Sequence, residues 1–100
     1  MRIISFNINS IRARPHQLIY LRDTLNPDVI GLQETKVNDP DFPLDVIEEI
    51  GYHPEYWGQK GHYGVAILSK EKPIKTVKGF KNDKPEDQKR FIECTFATKE

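Results

Sequence analysis

A single cysteine, Cys94, stands among the 100 residues, which excludes an internal disulfide framework and a cysteine-rich zinc site. No apolar run approaches the ~18 residues that a membrane-spanning helix needs. The opening Met1-Arg2-Ile3-Ile4-Ser5-Phe6-Asn7 turns polar too soon for a signal peptide. There is no internal repeat, no low-complexity tract, no phosphate-cradling P-loop, no Gly-x-Ser-x-Gly and no zinc-ligand spacing. A soluble, reduced, cytoplasmic protein with no membrane contact is the expectation. Net charge is lacking too, since 15 Lys and Arg balance 15 Asp and Glu. The balance hides an asymmetry: residues 1–50 carry 5 basic and 8 acidic side chains, and residues 51–100 carry 10 and 7. A basic half fits a protein that meets a polyanion on one side, and fits a solvated surface equally well. The 37% hydrophobic share is above that of a disordered chain, and the length allows one domain.

The apolar residues are ordered along the chain. Ile3, Ile4, Phe6 and Ile8 make residues 2–8 a strand, apolar enough to suggest burial on both faces. Residues 9–14 are a polar turn. Pro15 can open a helix as its first residue, and Leu18, Leu21 and Leu25 follow at helical spacing as core positions, with Ile11 covering the entry. Asn26-Pro27 stops that helix, and residues 28–34 form a second short strand. A strand, helix and strand within 34 residues read as a parallel, right-handed unit. Both strands then end on one edge of the sheet, where ligand chemistry gathers in open α/β folds. Those ends are Asn7 and Glu34.

Further on, residues 43–50 read as a helix from Pro43 to Gly51, with Val46, Ile47 and Ile50 on its buried face. Residues 52–57 and 65–68 read as strands, with Gly58, Gly61 and Gly64 at the bend between them. Lys72-Pro73 is a break, 74–80 a strand, 81–88 a polar loop, and 90–97 a final alternating strand. The whole is α/β: a mixed sheet with helices on its outer face.

Several of these residues suit particular chemistry. A carboxylate at a strand end, Glu34, can bind Mg²⁺, which takes oxygen ligands and often few protein carboxylates. A solvated glutamate in a βα loop is the plainer alternative. Asn7 can orient a carboxylate or meet a phosphate, or simply form a turn. Gly58-Gln59-Lys60-Gly61-His62-Tyr63-Gly64 combines tight turns with basic and aromatic groups, a mixture suited to nucleic acid, though an ordinary hairpin loop has the same glycines. Lys89-Arg90 can pair with phosphates or be a charge pair at a strand edge. Cys94 alternates with core positions, and His16 and His53 show no partner pattern.

Three segments carry a resemblance: Ser5-Phe6-Asn7-Ile8-Asn9 with Arg12-Ala13; Asp28-Val29-Ile30-Gly31-Leu32-Gln33-Glu34-Thr35-Lys36; and Gly58 through Ser69. In order and spacing they resemble the exonuclease III-type abasic-site endonucleases of the endonuclease/exonuclease/phosphatase superfamily, over nearly the whole chain. The Gln-Glu-Thr-Lys stretch points to the nuclease branch. The resemblance implies the N-terminal part of a four-layer α/β sandwich acting in base excision repair, as a 3′–5′ exodeoxyribonuclease and abasic-site endonuclease. It implies Mg²⁺ as cofactor, with Mn²⁺ as substitute. It makes Glu34 and Asn7 catalytic and metal-site residues, and Arg12, Lys36, His62 and Arg90 contacts to DNA. The implied partner is double-stranded DNA with abasic sites or 3′ ends, bound by a monomer. Ser10 departs from the pattern, which has Gly there.

Such proteins are more than twice this length, and their catalytic tyrosine, Gly-Asp-x-Asn and Ser-Asp-His segments would all follow residue 100. The expectation is therefore an incomplete domain, inactive and marginally folded alone. Two other readings stay open: a phosphatase of the same superfamily, and a non-catalytic DNA-binding fragment. Lys36 and the Gly58–Gly64 loop argue against the phosphatase.

Overall fold

Alternation of apolar and polar residues gives the chain its first strand, β1 (Ile3–Asn7), followed by helix α1 (Pro15–Leu25) and strand β2 (Val29–Gln33) in the computed structural model, which describes residues 1–97. Pro15 begins the helix, and Asn26 ends it in the left-handed region at φ +46°. β1 and β2 pair in parallel, with Asn7 opposite Gln33 at their carboxyl ends. After a short 3₁₀ turn (Asp39–Asp41) come α2 (Leu44–Ile50), β3 (His53–Trp57) and β4 (Val65–Ser69). The four strands form one mixed sheet in the order β1-β2-β4-β3. Pro54, which cannot donate to a ladder, sits in the edge strand β3.

One face of this sheet carries the core. Ile30, Leu32, Ala66 and Leu68 pack with Leu18 of α1 and Ile47 and Ile50 of α2, closed at one end by Ile8, Ile11, Val37 and Phe42. Phe42 stacks on Tyr56 with centroids 3.9 Å apart. Tyr52, whose hydroxyl donates to the Pro27 carbonyl at 2.8 Å, has its pKa raised by burial.

Four expectations are corrected here. β1 is not buried on both faces: Ile3 is 65% exposed, and Ser5 and Asn7 are exposed with it. β1 has a sheet partner on one side only, and among the described residues nothing covers the face opposite the helices there. Leu25 is exposed because it is the last residue of α1, where the chain turns away. Val46 is exposed because it lies off the Ile47 and Ile50 stripe of α2. The last two strands, β5 (Lys75–Lys78) and β6 (Ile92–Thr95), leave the first sheet and make a two-stranded antiparallel sheet of their own, which packs along β3 and β4. Both are shorter than the sequence suggested, and residues 98–100 lie outside the described residues.

His53 does have a partner: its Nε2 lies 2.5 Å from Glu55, two residues on and so on the same face of β3. The half-buried Cys94 thiol is pushed up by burial and sits 3.7 Å from the Thr76 hydroxyl, as a packing residue would.

The start of β1 is pinned by Asp28, whose carboxylate accepts the Arg2 N–H at 2.7 Å. That hydrogen bond, with help from Lys70, holds the Asp28 pKa below its usual value. A carboxylate lowered by folding stabilises the native state above its unfolded pKa and loses that effect as pH falls through the folded value. Melting temperature against pH is therefore expected to favour the wild type over Asp28→Asn at neutral pH. The advantage vanishes in acid, beginning below about pH 4.

Candidate functional site

The carboxyl ends of β1 and β2 continue into two loops with unusual backbone. Asn9 (φ +50°), Ser10 (φ +88°), Glu34 (φ +53°) and Lys36 (φ +57°) all occupy the left-handed region, which non-glycine residues seldom adopt. Ser10 thus adopts at a strained angle the turn for which glycine is the usual residue. Four such residues within one small region mark a site whose conformation is held by its surroundings.

The holding bonds can be followed across four segments. Ile8 N–H donates to the Gln33 carbonyl at 3.1 Å, Ser10 N–H to Glu34 at 2.9 Å, and Ile11 N–H to Thr35 at 3.1 Å. On the other side, Thr35 N–H donates to the Gly64 carbonyl at 3.1 Å and Lys36 N–H to Tyr63 at 2.8 Å. Gly64 N–H in turn donates to the Lys89 carbonyl at 3.0 Å. Residues 8–11, 34–36, 63–64 and 89 are therefore fixed in one register.

The side chains of this region form a connected group. The Asn7 amide nitrogen donates to Glu34 Oε2, while Asn7 Oδ1 accepts the Asn9 N–H at 2.9 Å. Lys36 Nζ donates to Asn9 Oδ1 at 2.5 Å and lies 3.6 Å from Glu34 Oε1. Arg14 closes the turn by donating to the Asn9 carbonyl at 2.7 Å. Glu34 opens onto a cleft of about 510 Å³, which His62, Lys89 and Arg90 also line.

The structure thus brings Asn7, Glu34 and Lys36 into contact and sets His62 and Arg90 on the same cleft as Glu34. Arg12 is exposed in the turn before α1 and does not line the cleft. The Lys89 ammonium is engaged within the chain: it lies 4.4 Å from the Trp57 ring centroid and donates to the Pro85 carbonyl.

Among the described residues no group of three or more His, Cys, Asp and Glu side chains is placed to hold a metal ion. Glu34 is the carboxylate on the cleft among the described residues, and there its Oε1 meets the Lys36 ammonium at 3.6 Å and accepts no hydrogen bond. A hard oxygen donor of this kind suits a divalent cation that keeps most of its water.

Residues 4–99 match the family described as Endonuclease/Exonuclease/phosphatase family. The chain belongs to that family. It is 52% identical over 98 residues to an exodeoxyribonuclease III of Haemophilus influenzae, covering 98% of this chain and 37% of that protein. Among solved structures, an AP endonuclease from Archaeoglobus fulgidus superimposes with TM-score 0.86 and 40% identity, over 97% of this chain and 37% of the other. A 3′ phosphatase from Neisseria bound to a product DNA hairpin gives TM-score 0.86 and 34% identity over 97% and 38%. The chain spans about 37% of the length of that Haemophilus influenzae relative. The α/β arrangement expected from the family resemblance is the one found.

Within this family site, sequence reasoning had no argument for Asn9 as the acceptor for Lys36, nor for Gln59, whose Oε1 accepts the Lys89 N–H at 2.7 Å. Asn9 lies in the first of the three resembling segments and within the polar turn read over residues 9–14. Gln59 and Lys89 are 30 residues apart, and no local pattern joins them.

Proposed function

We propose that these residues form the metal- and phosphate-facing part of a DNA phosphodiester hydrolase of the exonuclease III type. The reading is of a Mg²⁺-dependent 3′–5′ exodeoxyribonuclease and abasic-site endonuclease of base excision repair, with Mn²⁺ as an alternative ion. The observation that carries it is the Glu34 carboxylate, fixed by Asn7 at the paired strand ends and facing a cleft lined by His62 and Arg90. The names of the relatives, an exodeoxyribonuclease III and an AP endonuclease, support the substrate class.

In this reading residues 1–100 belong to a single nuclease domain, and the protein is a cytoplasmic monomer. Glu34 would hold the ion, and a bound divalent ion would supply Lewis-acid polarisation of the scissile phosphate. Asn7 fixes the Glu34 carboxylate. Lys36, tied to Asn9, places a positive charge beside Glu34, where a phosphate oxygen would approach. Arg90 and His62, which line the same cleft, hold the DNA backbone, and Arg12 meets it at the turn before α1. These contacts position the duplex and carry little sequence information.

The test of the DNA contact is salt dependence. Arg90→Ala is expected to weaken duplex binding about equally for unrelated sequences and to reduce the slope of log K against log salt by about one unit, as loss of one phosphate contact does. Fluorescence anisotropy at several salt concentrations measures it, and an unchanged slope would make Arg90 a surface charge only. The Neisseria neighbour named as a 3′ phosphatase gives a second reading, removal of a DNA 3′-phosphate. A duplex ending in a 3′-phosphate, assayed beside an abasic-site duplex, separates the two.

A further inference from the structure

Arg90 follows a long polar segment without regular structure, in which residues 81–88 are all exposed. Its own side chain makes one 3.3 Å hydrogen bond, to Gln88 two residues away. What fixes the backbone there comes from the 58–64 loop. The Gln59 side-chain oxygen accepts the Lys89 N–H at 2.7 Å in a half-buried bond, and Gly64 N–H donates to the Lys89 carbonyl at 3.0 Å. Both peptide groups flanking the Lys89 Cα are thus clamped, one residue before Arg90. Gln88 adds a 2.7 Å bond to the Tyr63 hydroxyl. The 58–64 loop is itself anchored, since Gly58 N–H donates to Asp39 at 2.6 Å and Lys60 N–H to Asn38 at 3.1 Å.

We infer that Gln59 is a positioning residue for DNA binding: through Lys89 it holds Arg90 in place on the cleft that Glu34 also lines. The inference rests on the nuclease reading given above. Without the Gln59 bond, residues 85–90 keep the Gly64 bond but lose one of the two that fix the orientation of residue 89. Arg90 then samples many positions, and its phosphate contact must be bought with ordering entropy at each encounter. The role uses only an acceptor oxygen at residue 59. Glutamate has one at the same reach, and alanine has none.

The experiment measures binding of a fluorescent abasic-site duplex to the full chain at several salt concentrations, for Gln59→Ala, Gln59→Glu, Arg90→Ala and the Gln59→Ala/Arg90→Ala double variant. Gln59→Ala is expected to raise Kd about fivefold, the size of one hydrogen bond's net contribution. It should also reduce the salt slope toward that of Arg90→Ala. At high salt, where its added charge is largely screened, Gln59→Glu recovers most of the affinity lost in Gln59→Ala, and the double variant binds no more weakly than Arg90→Ala alone. A purely structural role for Gln59 predicts instead a lowered melting temperature, an unchanged slope and additive losses in the double variant, and that result overturns the inference. So does wild-type binding by Gln59→Ala. Cleavage is followed separately, in a chimera in which this sequence replaces the matched segment of the Haemophilus influenzae exodeoxyribonuclease III. Binding with the expected Gln59 pattern but without metal-dependent cleavage contradicts the nuclease reading and leaves the positioning role standing.

Discussion

Glu34→Ala is expected to lower metal-dependent cleavage of an abasic-site duplex by more than about 100-fold, because even residues that merely orient a metal ligand are worth about 10- to 100-fold. The relevant protein is the chimera with the Haemophilus influenzae relative, since this chain spans about 37% of that enzyme. Glu34 is the cleft carboxylate, and Asn7 and Lys36 both face it. Removing it takes away the one carboxylate that lines the cleft among the described residues. It leaves Arg90 and His62 in place, so duplex affinity in the absence of metal should change little. Asn7→Ala removes only the group that fixes the carboxylate, and its loss belongs in the 10- to 100-fold class. Single-turnover nicking rates for the two variants check the order. A rate for Glu34→Ala equal to that of the wild type would remove Glu34 from the chemistry.

Gly64→Ala carries the second large effect, this time on stability. Gly64 has φ +103°, which L side chains rarely adopt, and it is buried. A Cβ placed on it would stand 2.2 Å from Thr35 Oγ1 and 3.3 Å from the backbone nitrogens of Gln59 and Lys36. Thr35 is 0% exposed and cannot swing into solvent, and its Oγ1 has no partner among the described residues. The substitution thus adds backbone strain to an overpacked contact, with a combined cost of about 3 kcal/mol. For a domain of this size that lowers the melting temperature by roughly 12–24 °C. Thr35→Ala in the same chain should recover part of the loss by removing the clashing oxygen, while the strain at φ remains. A thermal melt of the three variants tests this. Full tolerance of Gly64→Ala would mean that the contact between residues 34–36 and 63–64 is loose.

The parallel β1-α1-β2 unit was legible because its signals are local. Pro15 and Asn26 mark the helix ends, and the apolar strands on either side are too close in sequence for any but a crossover connection. That unit alone places Asn7 beside Glu34, so the heart of the candidate site could be read before any coordinates. The backbone strain could not. Nothing local distinguishes Glu34 and Lys36, in the left-handed region, from the extended residues beside them. Ser10 gave the one hint, as serine where glycine is usual. Leu25 and Val46 were misplaced because periodicity names a face, while burial depends on how far the neighbouring element reaches. The separation of β5 and β6 from the first sheet depends on packing between strands distant in sequence. The same holds for the Gln59 bond to Lys89, across a span of 30 residues.

Holding a divalent ion for phosphodiester hydrolysis is the role proposed for Glu34. Its most direct test is a Mg²⁺ titration of abasic-site nicking by the chimera, with Glu34 intact and as Glu34→Gln, which keeps the shape and removes the charge. The expected result is no nicking in excess chelator, saturable activation by Mg²⁺, and a midpoint moved to at least about tenfold higher Mg²⁺ in Glu34→Gln, as weakened ligation requires. Nicking that survives the chelator, or a midpoint that stays where it was in Glu34→Gln, would contradict it.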